Sequence, residues 1–269
     1  MQRLDVTDRV WRGIHAVKSG HATLQTGNWT LGEAQSMALY GPLCAPSDRP
    51  IVFAQIGQSL DGRIATEAGD AQDISGPDGL AHLHRLRAIA DAVVIGVKTA
   101  LHDDPQLTVR LADGDSPARV VIDPDGRLPN DAQLLRDTSV RRIIIQAVDK
   151  KRPEGVETIT LDRAGWICPK SIIAALDERG FKRILIEGGG ITIAQFLEAD
   201  LLDRLHIAVA PLLIGSGPQS LTTSPIGTLA AARRPQMQAY NLGSDIVFDC
   251  VLKPVAQSHT LPNLKAVGA

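Results

Sequence analysis

The chain has 269 residues, 44% hydrophobic and only 3% aromatic, with a formal net charge of −2. That balance leaves no electrostatic footprint for nucleic acid and no platform for stacking bases. Cys44, Cys168 and Cys250 form no CxxC pair, so neither a disulfide framework nor a metal site is expected; with no long apolar run and no leader-type segment, the expected setting is the cytoplasm, away from membranes.

Residues 1–49 read apart from the rest. Residues 10–17 predict a short helix around Trp11, Ile14 and Val17. Gly27, Gly32 and Gly41-Pro42 break that pattern, and residues 41–50, rich in proline, read as a linker. The expected organisation is an N-terminal appendage at 1–49, a domain at 50–255 and a tail at 256–269. Residues 51–56 predict a strand, followed by Ser59-Leu60-Asp61-Gly62, in which Asp61 reads as a turn residue. Leu80, Leu83, Leu86 and Ala90 recur at helical spacing within 76–90. Residues 92–96 form an apolar strand ending in glycine. Further strands are predicted at 119–123, 141–147, 183–187 and 205–210, helices at 171–179 and 191–199, and an antiparallel strand at 246–252. Continuous apolar strands alternating with helices imply an α/β fold with a mostly parallel central sheet and helices on both faces.

Three stretches carry chemistry. In Ile184-Leu185-Ile186-Glu187-Gly188-Gly189-Gly190-Ile191-Thr192 an apolar strand meets three glycines and a helix start, a combination that suits a phosphate or pyrophosphate. It also suits an ordinary strand-to-helix turn, and it is not the GxGxxG fingerprint. In Val94-Ile95-Gly96-Val97-Lys98-Thr99 a second strand ends in glycine, with Lys98 and Thr99 placed to meet an anion unless Lys98 is simply a solvated lysine. In 102–110, two adjacent acids precede a proline and Arg110, and Arg87 lies on the preceding helix. Two converging guanidinium groups would suit a phosphorylated substrate; two ordinary surface arginines are equally compatible. His206, in an apolar strand, reads as a core histidine.

The segments SLDGRIA (59–65), HRLRA (84–88), VVIGVKTALHDDPQLTVR (93–110), RVVIDPDGRLP (119–129), ILIEGGG (184–190) and APLLIGSG (210–217) together resemble the reductase domain of the riboflavin-pathway deaminase-reductases and their stand-alone relatives. The resemblance implies a dihydrofolate-reductase-like fold, NADPH, and a phosphoribosylamino-pyrimidine whose ribosyl C1 is reduced to give a ribityl chain. It implies NADPH contacts at Gly57, Thr99, Asp103, Asp123 and the turn of Gly189, Gly190, Ile191 and Thr192, with Gly96 and Gly188 in the same glycine turns. Lys98, in a segment similar to the phosphate-binding turn of dihydrofolate reductase, is implied as partner of the 2′-phosphate. Arg87, Leu107, Arg110 and Glu187 are implied as substrate contacts, both arginines near the phosphate. Glu187 is the candidate to orient or protonate the substrate, or only to bind its hydroxyls. A cis Gly188–Gly189 peptide and a homodimer are also implied. Gln55 and Asp73 stand where bacterial members often carry Lys and Trp; stand-alone archaeal members lack those two as well and share the HxxR pattern of His84–Arg87. Residues 1–49 hold no HxE or PCxxC zinc-deaminase signature, so the chain reads as a lone reductase. The diamino or the deaminated pyrimidine, another pyrimidine or pterin, or a paralogue that binds nucleotide without turnover stay open.

Overall fold

The computed structural model describes residues 2–23, 28–72 and 74–253; Gly27, Asp73 and the predicted tail at 256–269 lie outside the described residues. Two helices come first, α1 (Asp8–Lys18) and α2 (Leu31–Cys44). Both starts are written in the sequence. Thr7 accepts from the Val10 N–H, and Thr30 with Glu33 forms a reciprocal capping box. Then follow β1 (Ile51–Ser59), α3 (Pro77–Ile89), β2 (Ala92–Gly96), α4 (Val97–Asp103), β3 (Ala118–Ile122), α5 (Gln133–Arg136), β4 (Arg142–Gln146) and β5 (Val156–Thr160). A small hairpin, β6 (Arg163–Ala164) and β7 (Trp166–Ile167), leads to α6 (Pro169–Asp177), β8 (Arg183–Glu187), α7 (Gly190–Glu198), β9 (Arg204–Ala210), β10 (Gln236–Asn241) and β11 (Ile246–Val251).

Among the described residues, one 9-stranded sheet runs β10-β11-β9-β1-β8-β2-β3-β4-β5. Every pairing from β9 to β5 is parallel; β11 joins β9 antiparallel and β10 joins β11 antiparallel. The antiparallel edge therefore has two strands where the sequence predicts one. Strand β8 is central, and its end is in register with β1 at Gln55↔Glu187.

Alternation along the strands divides the core between the two sheet faces. Phe53, Val93, Ile95, Val121, Ile144 and Leu185 pack with α1, α2 and α3, whereas Val52, Ala54, Val94, Val120, Ile143 and Ile184 pack with α6 and α7. The first 49 residues are thus no appendage. Val10, Trp11, Ile14, Val17, Leu39, Tyr40 and Leu43 are buried in the core of one face, and the stretch read as a linker is helical through Cys44. Gly32 and Gly41-Pro42 hid this helix. Gly32 is needed for close approach: a Cβ there would lie 2.9 Å from Asp5 Cβ and 3.1 Å from the Arg3 carbonyl oxygen. Pro42 falls in the last turn of α2. No helix of the described residues is long and apolar enough to cross a membrane.

Candidate active site

The two glycine turns interlock at the carboxyl edge of the sheet. Gly96 ends β2 and a Cβ on it would overlap Thr192 Oγ1 in the first turn of α7. From the other side, Thr99 Oγ1 accepts from the Gly189 N–H at 3.0 Å, and a Cβ on Gly188 would lie 2.8 Å from Thr99 Cγ2. Gly188 has φ +84, a conformation that glycine adopts without the Cβ penalty. That single torsion turns the chain, and no described peptide bond is cis, so the expected cis Gly188–Gly189 bond is corrected to trans. A non-proline cis bond costs ~2.5–4 kcal/mol, and the positive φ makes it unnecessary. The α7 N-terminus has no side-chain cap. Gly190 lies against the segment after β9: a Cβ there would overlap the Ser220 carbonyl oxygen. Gly57 on β1 is similarly close to Ser75 Oγ, 2.7 Å from an added Cβ. Ile191 and Lys98 are exposed, and among the described residues no ion pair involves Lys98.

Asp103 closes α4. Partial desolvation raises its pKa; His102 opposes the rise and Glu187 adds to it. Asp123 behaves differently. It is fully buried and accepts from Arg127 N–H and Leu128 N–H, each at 2.8 Å, and from Arg152 at 2.6 Å. Its carboxylate therefore caps the turn after β3, so the cofactor contact expected at Asp123 would fall to its backbone.

The residues expected on the substrate side lie together. Arg87 is buried on α3 and pairs bidentately with Glu187, Nε to Oε2 at 2.8 Å and Nη2 to Oε1. Burial works against the Arg87 charge, but the Glu187 carboxylate outweighs it and raises the Arg87 pKa. A third bond runs from Arg87 Nη1 to the Thr108 carbonyl at 3.0 Å. Arg110 Nη1 donates to the hydroxyl of the same Thr108 and to Gln106 Oε1 at 3.3 Å. Arg87, Arg110 and Glu187 thus lie in one region. Leu107 supplies the turn with φ +55, but its side chain is 1% exposed and packs in the core. The substrate contact expected at Leu107 would therefore fall to its backbone.

Sequence reasoning missed a second buried set. Tyr40 Oη lies 2.8 Å from His82 Nδ1, His82 Nε2 lies 3.2 Å from His206 Nδ1, and His206 Nε2 lies 3.3 Å from Asp249 Oδ1. Desolvation, then His206 and Arg85, push the His82 pKa well down. His206 is the core histidine that the sequence suggests; its partners stand on α2, α3 and β11, too far apart in sequence to leave a signal. Among the described residues no group of three or more His, Cys, Asp or Glu could hold a metal ion.

An open α/β sheet with ligand-competent groups beyond the carboxyl ends of its middle strands defines the class of α/β enzymes that bind ligands there. The chain belongs to the RibD C-terminal domain family, whose model matches residues 50–248. It is 32% identical over 219 residues to the 2,5-diamino-6-ribosylamino-4(3H)-pyrimidinone 5′-phosphate reductase of Methanothermobacter thermautotrophicus, covering 76% of this chain and 99% of that protein. It is 30% identical to the riboflavin biosynthesis protein RibD of Aquifex aeolicus, covering 74% of this chain but only 57% of that protein. The deaminase/5-amino-6-(5-phosphoribosylamino)uracil reductase structure from Thermotoga maritima superposes with a TM-score of 0.69 at 25% identity, covering 81% of this chain and 62% of that one. The riboflavin biosynthesis reductase Rib7 of Saccharomyces cerevisiae shares the fold, with a TM-score of 0.65 at 20% identity, covering 81% of this chain and 97% of that one.

Proposed function

We propose that this protein reduces the ribosyl C1 of a 5-phosphoribosylamino-pyrimidine to the ribitylamino form, using NADPH, in riboflavin biosynthesis. The observation that carries the reading is the convergence of Arg87, Arg110 and Glu187 beside two interlocked glycine turns. The cradle fits a nucleotide cofactor: the uncapped α7 start offers N–H groups to an anion, and Gly96, Gly188 and Gly189 let Thr192 and Thr99 pack closely against the two turns that present it. When bound, NADPH supplies the hydride. Thr99, Lys98, Asp103 and the turn at Gly189–Thr192 would hold it, with Lys98, exposed and free of a carboxylate, beside the 2′-phosphate. Catalysis then rests on positioning. Arg110, with the remaining N–H groups of Arg87, holds the substrate phosphate, and Glu187 orients the sugar from the end of β8. Gln55, its register partner, borders the same space.

A second reading, reduction of the 2,5-diamino form, is favoured by the match to 99% of the archaeal reductase. The three free cysteines fit a reducing cytoplasm. The exposed apolar side chains of Leu213, Ile226, Leu229 and Met237 support a homodimer, which light scattering checks. The deciding experiment is NADPH oxidation by the purified protein with the diamino and the deaminated phosphoribosylamino-pyrimidines. Turnover of one of them is expected. Binding of NADPH without turnover of either would leave a nucleotide-binding paralogue.

A further inference from the structure

The loop that carries Arg110 is held from both ends by residues outside the glycine turns and the arginine–glutamate pair. His84 Nδ1 accepts from the Arg110 N–H at 2.8 Å and lies 3.4 Å from the Leu111 nitrogen. Trp11 Nε1 donates to the Asp113 carbonyl at 2.8 Å. Just after Asp113 the loop is pressed close to its supports: a Cβ on Gly114 would lie 2.9 Å from Ala88 Cβ on α3 and 3.0 Å from His15 Cε1 on α1. Beside it a cavity of about 310 Å³ is lined by Asp8, Trp11, Arg85, Arg110, Leu111 and Asp113, among others, so α1 forms one wall of the space that Arg110 borders.

We propose that His84 and Trp11 are positioning residues for the phosphate end of the substrate, fixing the loop so that the Arg110 guanidinium stays with Arg87 at Thr108. The identity of the ligand rests on the function proposed above; the fixing of the loop does not. Trp11 lies in the first 49 residues, outside the matched family region, so this gives that segment a task besides covering the sheet. His84 is one helical turn before Arg87 and is buried, with Nδ1 as acceptor, which assigns the ring proton to Nε2. A second proton on Nδ1 would set two N–H groups against each other at the observed 2.8 Å. Desolvation first, then the neighbouring Arg87 and Arg110 charges, push the His84 pKa down to about 4 against the opposing pull of Glu187. The acceptor is therefore present throughout the neutral range.

Trp11→Phe keeps the packed ring and deletes one donor. His84→Leu removes the acceptor, and His84→Asn offers an amide oxygen in its place. Expected for Trp11→Phe and His84→Leu is a rise in KM for the phosphorylated substrate of roughly three- to tenfold, the range of one neutral hydrogen bond. The KM for NADPH should stay within about twofold, a shift too small for a lost hydrogen bond, and His84→Asn should recover part of the loss. In the unliganded protein the Arg110 and Leu111 amides should exchange with solvent faster in His84→Leu than in wild type. Equal rises in both KM values, or unchanged amide exchange, would overturn the proposal. If wild type turns over no pyrimidine, the functional reading fails, while the exchange measurement still decides whether His84 fixes the loop.

Discussion

Glu187 ends β8 and Asp123 follows β3; both are buried carboxylates at strand carboxyl ends, and each is paired with an arginine. Their surroundings differ. Asp123 also accepts two backbone N–H groups, and its Arg152 donates to Gln146 Oε1 at 3.0 Å and to the Leu128 carbonyl at 2.9 Å. That network closes on itself. Glu187 has Arg87 as its hydrogen-bond donor and keeps lone pairs in reserve beside the glycine turn. A buried ion pair is therefore no mark of function. What separates the two is whether any bonding capacity is left over for a ligand.

The comparison is tested first, and with the largest effect, by Asp123→Ala. It leaves the Arg152 charge in the interior without a carboxylate, and stability should fall by about 3–5 kcal/mol, read from the urea midpoint. The KM values of the folded fraction should stay at wild-type levels. Glu187→Gln should do the reverse, because glutamine still accepts from Arg87. Turnover should fall roughly a hundredfold, with less loss of stability than in Asp123→Ala. A variant that melts early but turns over normally would move Glu187 into the structural class. The His82–His206–Asp249 set is as deeply internal as Asp123. The folded-state pKa of His82 lies well below its unfolded value, so the unfolded chain takes up the proton first. Its contribution is fully present above the unfolded pKa of about 6.5 and is lost as pH falls below it. Melting temperature should drop through that range, and His82→Gln should flatten the slope. Lys98 marks the opposite extreme, exposed and, among the described residues, in no ion pair. Lys98→Ala should leave stability unchanged and raise the KM for NADPH by on the order of fivefold, about 1 kcal/mol, with NADH unaffected. Equal loss for both cofactors would remove Lys98 from the 2′-phosphate.

The strands Ala92–Gly96 and Arg183–Glu187 were legible in the sequence because each is an unbroken apolar run bounded by glycine or charge. β5 (VETIT) and β10 (QMQAYN) were not: they are edge strands, mostly solvated, with no such run. The glycine turns were legible for the same local reason, since strand, glycine and helix start are consecutive. The partners were not. Arg87 and Glu187 are 100 positions apart and Asp123 and Arg152 are 29 apart, so residue type alone could not separate a ligand carboxylate from a cap. Leu107 shows the same limit at one position: the motif marks the residue, but only the fold shows that its side chain points into the core.

The central claim is that Arg110 and Arg87 hold a phosphate beside Glu187. The most direct measurement is the ratio of kcat/KM for the phosphorylated substrate to that for its dephosphorylated counterpart, in wild type and in Arg110→Gln. Wild type should prefer the phosphorylated form, and Arg110→Gln should lower that preference by roughly tenfold to a hundredfold, the range of one charge-assisted hydrogen bond, at an unchanged KM for NADPH. A wild-type enzyme indifferent to the phosphate, or a preference that survives the loss of Arg110, would contradict it.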